Sequence, residues 1–391
     1  MSEKKISYGK QNIDDSDLNE VIRVLKTDWL TQGPEVNNFE KNLCNYFGSA
    51  NAIAVANGTA SLHLIAKASG WNSDDTVITS PISFLASINC ALYCNANPDF
   101  ADIDEKTYTI DPGKLEEKIL QLKKSGKKVK AVVAVDFAGN VCDWKSLKSL
   151  SEKYNFELIN DFCHALGADY FNDKQYAVKY AEAVNMSFHP VKHITTGEGG
   201  AVLTDNSVLA EKIKLLRTHG MTKDVNLLEE NHGSWYYEMV DLGFNYRITD
   251  FQCALGSNQL KKLDEFLIKR RKIASLYDKA FADIDNITIP FVRPEVKHAY
   301  HLYPLLIDFD KFGISRKELF EQLASKNIFC QVHYIPIHLQ PYYRNNFGFK
   351  KNDFPVAEKF YSREISLPVY PDLSEANQLF VIESLKSILK I

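Results

Sequence analysis

Short apolar runs alternate with amphipathic stretches through the first half of the chain. Residues 52–55, 76–78, 129–135, 157–160 and 200–204 are mainly apolar and too short for helices, which predicts buried strands. Between them, residues 61–69, 83–93 and 144–154 space their apolar positions at helical intervals. Strand–helix alternation at this pitch predicts an α/β unit whose mostly parallel central sheet is covered on both faces. After about residue 250 the pattern changes. A long helix with a polar face, 251–281, leads to fewer and more separated strands near 300–307 and 329–334, then to a C-terminal helix. The expected division is a large α/β domain over 1–250, including an N-terminal substrate-contacting segment, and a smaller α+β domain over 251–391. A ligand in such a protein belongs outside the carboxyl ends of the strands, near the domain boundary.

Composition narrows the class. The 391 residues are 45% hydrophobic and 25% charged, with a formal net charge of −4. There is no basic stripe or acidic tail, so nucleic acid and anionic membrane are not expected partners. The first residues, MSEKKISYGKQ, lack the apolar core of a signal peptide, and no apolar run approaches membrane-spanning length. Seven cysteines (Cys44, Cys90, Cys94, Cys142, Cys163, Cys253 and Cys330) include no CxxC pair and read as reduced thiols. The expected compartment is the cytoplasm.

Three stretches carry candidate chemistry. Asn57-Gly58-Thr59-Ala60-Ser61 follows an apolar strand and opens a helix. Its small residues and free helix-start amides suit a phosphate, with Thr59 and Ser61 as further hydroxyl donors, yet an ordinary N-cap needs the same residue types. Neither a Walker loop nor a GxGxxG turn is present. The second stretch, Leu158-Ile159-Asn160-Asp161-Phe162-Cys163-His164-Ala165, ends a strand in an acid. Such an acid wants a cationic partner, of which a protonated pyridine nitrogen is one, or else caps the next helix. The third, Ser187-Phe188-His189-Pro190-Val191-Lys192, runs through a Gly-rich turn (Gly197, Gly199, Gly200) into a buried strand. A lysine in this apolar setting has a lowered amine pKa and becomes a nucleophile toward an aldehyde, and the glycines allow close packing of backbone against a ligand. His189 and His193 flank it without a third ligand, so no metal site is expected.

With these stretches in order, the chain resembles the DegT/DnrJ/EryC1/StrS family of nucleotide-sugar aminotransferases. The likeness includes Leu30-Thr31-Gln32-Gly33-Pro34, Ser80-Pro81-Ile82-Ser83-Phe84 and Gly243-Phe244-Asn245-Tyr246-Arg247-Ile248-Thr249-Asp250. It implies the type I fold of pyridoxal-phosphate (PLP) transferases, similar to aspartate aminotransferase. Asn89-Cys90-Ala91-Leu92-Tyr93-Cys94, Ser234-Trp235-Tyr236-Tyr237-Glu238 and Gln331-Val332-His333-Tyr334-Ile335-Pro336-Ile337-His338 look closest to the pseudaminic-acid branch. That branch moves an amino group from glutamate, leaving 2-oxoglutarate, to C4 of a UDP-linked 4-keto-6-deoxy-N-acetylhexosamine.

The resemblance also implies roles. Lys192 matches the lysine that holds PLP as an internal aldimine, and Asp161 the acid that pairs the pyridine nitrogen. His164 falls near the phenolic oxygen and Phe84 at the ring-stacking position. Thr59, Ala60 and Ser187 match the phosphate cradle, completed in a homodimer with shared active sites by Asn245 of the other copy. Tyr8, Asp28, Trp29, Leu30, Thr31, Val332, His333, Tyr334 and Ile335 match sugar-nucleotide contacts, which Thr59, Ser187 and Asn245 share. One departure stands out: the family carries small residues between the acid and the histidine, where this chain has Phe162 and Cys163. Alternation of side chains at a strand end predicts that Phe162 points into the core. Among rivals, a dehydratase of this fold carries His where Lys192 stands. A regulator would not need Lys192 and Asp161, and a nicotinamide-linked dehydrogenase would need GxGxxG. Amination of another keto-sugar isomer, or at C3, stays open.

Overall fold

The computed structural model describes residues 5–391. Its centre is a seven-stranded sheet of β1 (Asn51–Val55), β2 (Asp75–Thr79), β3 (Asn97–Phe100), β4 (Lys128–Val135), β5 (Glu157–Asp161), β6 (Ala183–Ser187) and β7 (Gly200–Thr204). Across the sheet they run β1-β7-β6-β5-β4-β2-β3. β7 is antiparallel to both its neighbours, β1 and β6, while the remaining pairs are parallel. The reversal has a simple cause. The chain turns straight back from β6 through residues 188–199 instead of crossing over by a helix. That turn, which carries Lys192, therefore lies at the edge where the parallel strands end.

Helices cover both faces, so β2 and β7 are buried along their whole length. The helix after β1, α1 (Gly58–Ala68), buries every residue except Thr59 and Lys67, and its apolar composition on all sides matches that position. Its start is set by Asn57, whose side chain accepts from Ala60 N–H at 2.8 Å. A second, long helix, α2 (Asp250–Phe281), begins with a Thr249/Gln252 capping box and packs against helices Asp15–Leu25 and Pro34–Phe47. Beyond it, β8 (Ile287–Thr288), β9 (Tyr303–Ile307) and β10 (Glu364–Leu367) form an antiparallel sheet in that order. Its core of Tyr277, Phe281, Leu305, Ile307, Ile365, Leu367, Val381 and Leu385 joins α2 to the C-terminal helix Glu375–Leu389.

Two differences from the sequence expectation bear on function. The strand expected over 329–334 is only Ile328–Phe329, paired with Ile6–Ser7. After one further bridge, Gln331 to Ser366, the chain leaves the ladder and carries His333 and Tyr334 to a cavity. β3, β6 and β10 lie outside the expected set; each is short and interrupted by polar residues, such as Asn185 in β6. Phe162 behaves as expected. It is fully buried, 5.7 Å from the Phe47 ring and 5.9 Å from Tyr176. Among the described residues no helix is long and apolar enough to cross a membrane.

Candidate active site

A cavity of about 680 Å³ opens at the carboxyl edge of the sheet. Val135, Asp161 and Ser187 reach it from the ends of β4, β5 and β6, Gly58 and Thr59 from the start of α1, and Lys192 from the β6–β7 turn. Val332, His333, Tyr334 and Ile335 line it as well, and so do Tyr8, His164 and Phe84.

Asp161 does not cap a helix. It closes β5 and is held by Ser87 Oγ–H to Oδ2 at 2.6 Å, Asn185 Nδ2–H to Oδ1 at 3.1 Å and Cys163 N–H to Oδ1 at 3.3 Å. Ser87 in turn accepts from Ser83 Oγ–H at 2.6 Å. All these donors are neutral, and Asn185 Oδ1 is buried without a hydrogen-bond partner among the described residues. A carboxylate so oriented, with unspent acceptor capacity, is suited to a cationic N–H from a ligand.

Among the described residues, Lys192 is the lysine or arginine that lines the cavity. Burial holds its amine below the ordinary lysine range, against the opposing pull of Cys163 and Asp161. His164 is held well below the usual imidazole range by burial, with Lys192 the next contributor. Its Nδ1 accepts from Ala138 N–H at 3.3 Å, so Nε2 carries the proton and donates to Tyr334 Oη at 3.2 Å. Phe84 is 56% exposed, an apolar ring left open on the cavity wall 6.1 Å from Tyr334. A planar aromatic ligand would cover it.

The phosphate-type turn is narrower than the sequence implied. Ser61 Oγ donates to Ala201 O at 3.0 Å, which ties it to β7 and corrects its assignment as a ligand donor. The Ala60 amide is engaged by Asn57, and Ala60 is not among the lining residues. What remains is Thr59, Ser187 and the first-turn amides of Gly58 and Thr59, which lie outside the helix's own ladder. The Gly-rich exit is also used differently. A Cβ at Gly200 would stand 2.5 Å from Asn57 C and 2.7 Å from Gly58 N, so this glycine lets two backbones meet and presses the phosphate-type turn into place. The donor set thus fits PLP: a phosphate cradle, an apolar ring wall, an acid and an amine in one cavity.

Asp28, Trp29, Leu30, Thr31 and Asn245 do not line this cavity. Thr31 bridges Thr249, Asp250 N–H donates to Leu30 O at 3.0 Å, Trp29 is 56% exposed, and Asn245 bridges Thr218. Sequence reasoning missed Ser83, Ser87 and Asn185. A polar residue inside an otherwise apolar strand was the available signal for Asn185, and serines one helical turn apart for the other two.

The pattern of the DegT/DnrJ/EryC1/StrS aminotransferase family matches residues 11–386. The chain is 41% identical to the Campylobacter jejuni UDP-4-amino-4,6-dideoxy-N-acetyl-beta-L-altrosamine transaminase, over 98% of both proteins. Its fold is similar to that of Helicobacter pylori PseC, an aminotransferase involved in the biosynthesis of pseudoaminic acid, with TM-score 0.88, 33% identity and 99% and 100% of the two chains covered. Spr1654 from Streptococcus pneumoniae, solved in its PLP-form, has TM-score 0.87 at 26% identity over 99% of each chain. With the cavity and its residues in these positions, the chain belongs to the DegT/DnrJ/EryC1/StrS aminotransferase family.

Proposed function

We propose that the chain is a PLP-dependent aminotransferase that moves the amino group of glutamate onto C4 of a UDP-linked 4-keto-6-deoxy-N-acetylhexosamine, in the pseudaminic-acid route. The observation that carries the reading is the convergence of Lys192, Asp161 and Phe84 on one cavity above a helix start. When bound, the cofactor supplies an aldehyde for amine exchange and an electron sink for carbanion charge.

The chain's own residues supply the rest. Lys192 Nζ, kept below the ordinary lysine range, is the attachment point and the group that moves protons between substrate and cofactor carbons. Asp161, steadied by Ser87 and Asn185, accepts from the pyridine N–H and keeps that nitrogen protonated. Phe84 packs on one ring face, and Thr59, Ser187 and the first-turn amides hold the phosphate. His164 orients Tyr334 at the phenolic side. Tyr8 and Val332, His333, Tyr334 and Ile335 bind the sugar nucleotide.

Asn245 completes the phosphate site from a second copy of the chain, and Asp28, Trp29, Leu30 and Thr31 reach the sugar nucleotide from that same copy. The Thr31–Thr249 bridge and the Asp250 N–H to Leu30 O bond, four to five residues beyond Asn245, support this. The exposed Trp235, Tyr237, Met239 and Leu242 support burial against a second copy. The large and small units meet near residue 250, and the seven unpaired cysteines accord with a cytoplasmic setting.

The test is spectroscopic and chemical. Purified protein with PLP should show an absorbance band that borohydride removes and that Lys192→Ala lacks, with turnover lost. Full transamination by Lys192→Ala would refute the assignment. Glutamate paired with candidate UDP-4-keto sugars, with products read by NMR, decides the isomer and the position aminated.

A further inference from the structure

Behind the cavity, a chain of three side chains ends on its wall. Glu364 and Ser366 stand two apart on β10, so both side chains leave the same face of the strand. Two backbone bonds lock the cavity-bound segment to this strand, Gln331 N–H to Ser366 O at 3.3 Å and Ser366 N–H to Gln331 O at 2.7 Å. His333 N–H donates to Glu364 Oε2 at 2.9 Å, and Ser366 Oγ–H to Glu364 Oε1 at 2.5 Å. The other side of Ser366 Oγ lies 2.8 Å from His333 Nδ1. All three residues are buried, and of the three only His333 lines the cavity.

The valences then fix the ring. An ionised carboxylate only accepts hydrogen bonds. Ser366 spends its single proton on Glu364, so its oxygen can only accept from an Nδ1–H. That leaves Nε2 as a bare lone pair with no bond to any other described residue. We propose that ionised Glu364, acting through Ser366, holds His333 in the Nδ1–H tautomer, so that Nε2 accepts a hydrogen bond from an N–H or O–H of the sugar substrate. Glu364 and Ser366 are positioning residues in this scheme. The substrate half of the inference rests on the keto-sugar reading above; the tautomer half does not.

Burial pushes the Glu364 carboxyl up to about 8, against the Ser366 hydroxyl, the His333 amide and Arg316. His333 itself is pushed down to about 3 and stays neutral throughout. Arg316, His333, Cys330, Tyr108 and Tyr334 are the charged or titratable groups that face Glu364. Once protonated, Glu364 can donate to Ser366 and the relay runs the other way, turning Nε2 into a donor.

The experiment reads the tautomer directly. Protein labelled with nitrogen-15 in its histidines is observed by long-range proton–nitrogen NMR at about pH 9, with His333 assigned by its loss in His333→Gln. Wild-type protein should show Nδ1 protonated. In Glu364→Gln the amide oxygen stays with His333 N–H and the –NH₂ faces Ser366, so the tautomer should invert to Nε2–H. Ser366→Ala, which breaks the relay without adding a donor, should lose the single tautomer and keeps the test open if Glu364→Gln fails to fold. An unchanged Nδ1–H state in either variant overturns the proposal. Kinetically, at the same pH of about 9, where Glu364 is ionised, both variants should keep the glutamate half-reaction within about twofold while kcat/KM for the keto sugar falls about ten- to a hundredfold. Equal loss in both halves would overturn the substrate role. If the native protein turns over no keto sugar while the tautomer inverts as expected, it is the keto-sugar reading that fails and the relay that stands.

Discussion

Ser87 Oγ–H donates to Asp161 Oδ2 at 2.6 Å, from a helix that shares no sequence proximity with the strand that ends in the acid. A hydrogen bond to a charged group is worth ~1.5–3 kcal/mol, and this one also fixes the direction in which the carboxylate faces the cavity. Ser87→Ala should therefore lower kcat/KM by roughly ten- to a hundredfold while the protein still binds PLP. Steady-state kinetics beside a cofactor titration checks this; wild-type kinetics in the variant would show that Ser87 is only packing.

Gly200 and Gly197 should respond differently to alanine. At Gly200 the new Cβ meets backbone atoms of Asn57 and Gly58 that cannot move aside, so Gly200→Ala should cost on the order of 2–4 kcal/mol and weaken PLP binding by displacing the turn. At Gly197 nothing lies within 4 Å, and only the backbone φ of +81° opposes a side chain, for a cost of about 1 kcal/mol. Denaturant unfolding and PLP affinity on both variants separate the two. Equal effects would contradict the backbone-contact argument.

Phe162 is fully buried between Phe47 and Tyr176, whereas the next residue, Cys163, lines the cavity. Phe162→Ala should lose ~3–5 kcal/mol of stability with the spectrum of bound PLP unchanged in the folded fraction. Cys163→Ala should shift that spectrum with little loss of stability. Unfolding curves and absorbance on the same samples test both halves.

Acid should destabilise the fold before most carboxylates titrate. Burial lowers His298 and His333 from 6.5 to about 3, and holds His164, His193 and His301 well below 6.5. The folded pKa values are depressed, so unfolded chains take up protons that the folded chain refuses. The stability is present above about 6.5 and is lost as pH falls from there toward about 3. Each unit below 6.5 costs ~1.4 kcal/mol per histidine, so His298 and His333 alone remove on the order of 5 kcal/mol by two units down. That is comparable with the whole stability of many proteins. Glu364 and Asp136, pushed up by burial to about 8 and about 6, oppose part of this loss, since each holds a proton in the folded chain that the unfolded chain has released. The five histidines outnumber them, so the unfolding free energy should be lower at pH 5 than at pH 6.5; an equal or higher value at pH 5 would refute the argument.

Much of this was legible in the linear chain. Apolar periodicity located five of the seven central strands and the long helix, because burial on both faces imposes an apolar run and a helical stripe imposes its spacing. The identities and order of Lys192, Asp161 and the Asn57–Gly58–Thr59 turn suffice to name a chemistry, since few reactions ask for an amine, an acid and a phosphate-type turn together. Tertiary structure decided what those residues lean on. It took Ser61 out of the cradle and gave Asp161 its support from Ser87 and Asn185. It also gave Gly200 to backbone packing and set Glu364 and Ser366 behind His333. These contacts join residues tens of positions apart, and the register that brings them together depends on the whole sheet. No local pattern of apolar and polar residues encodes it.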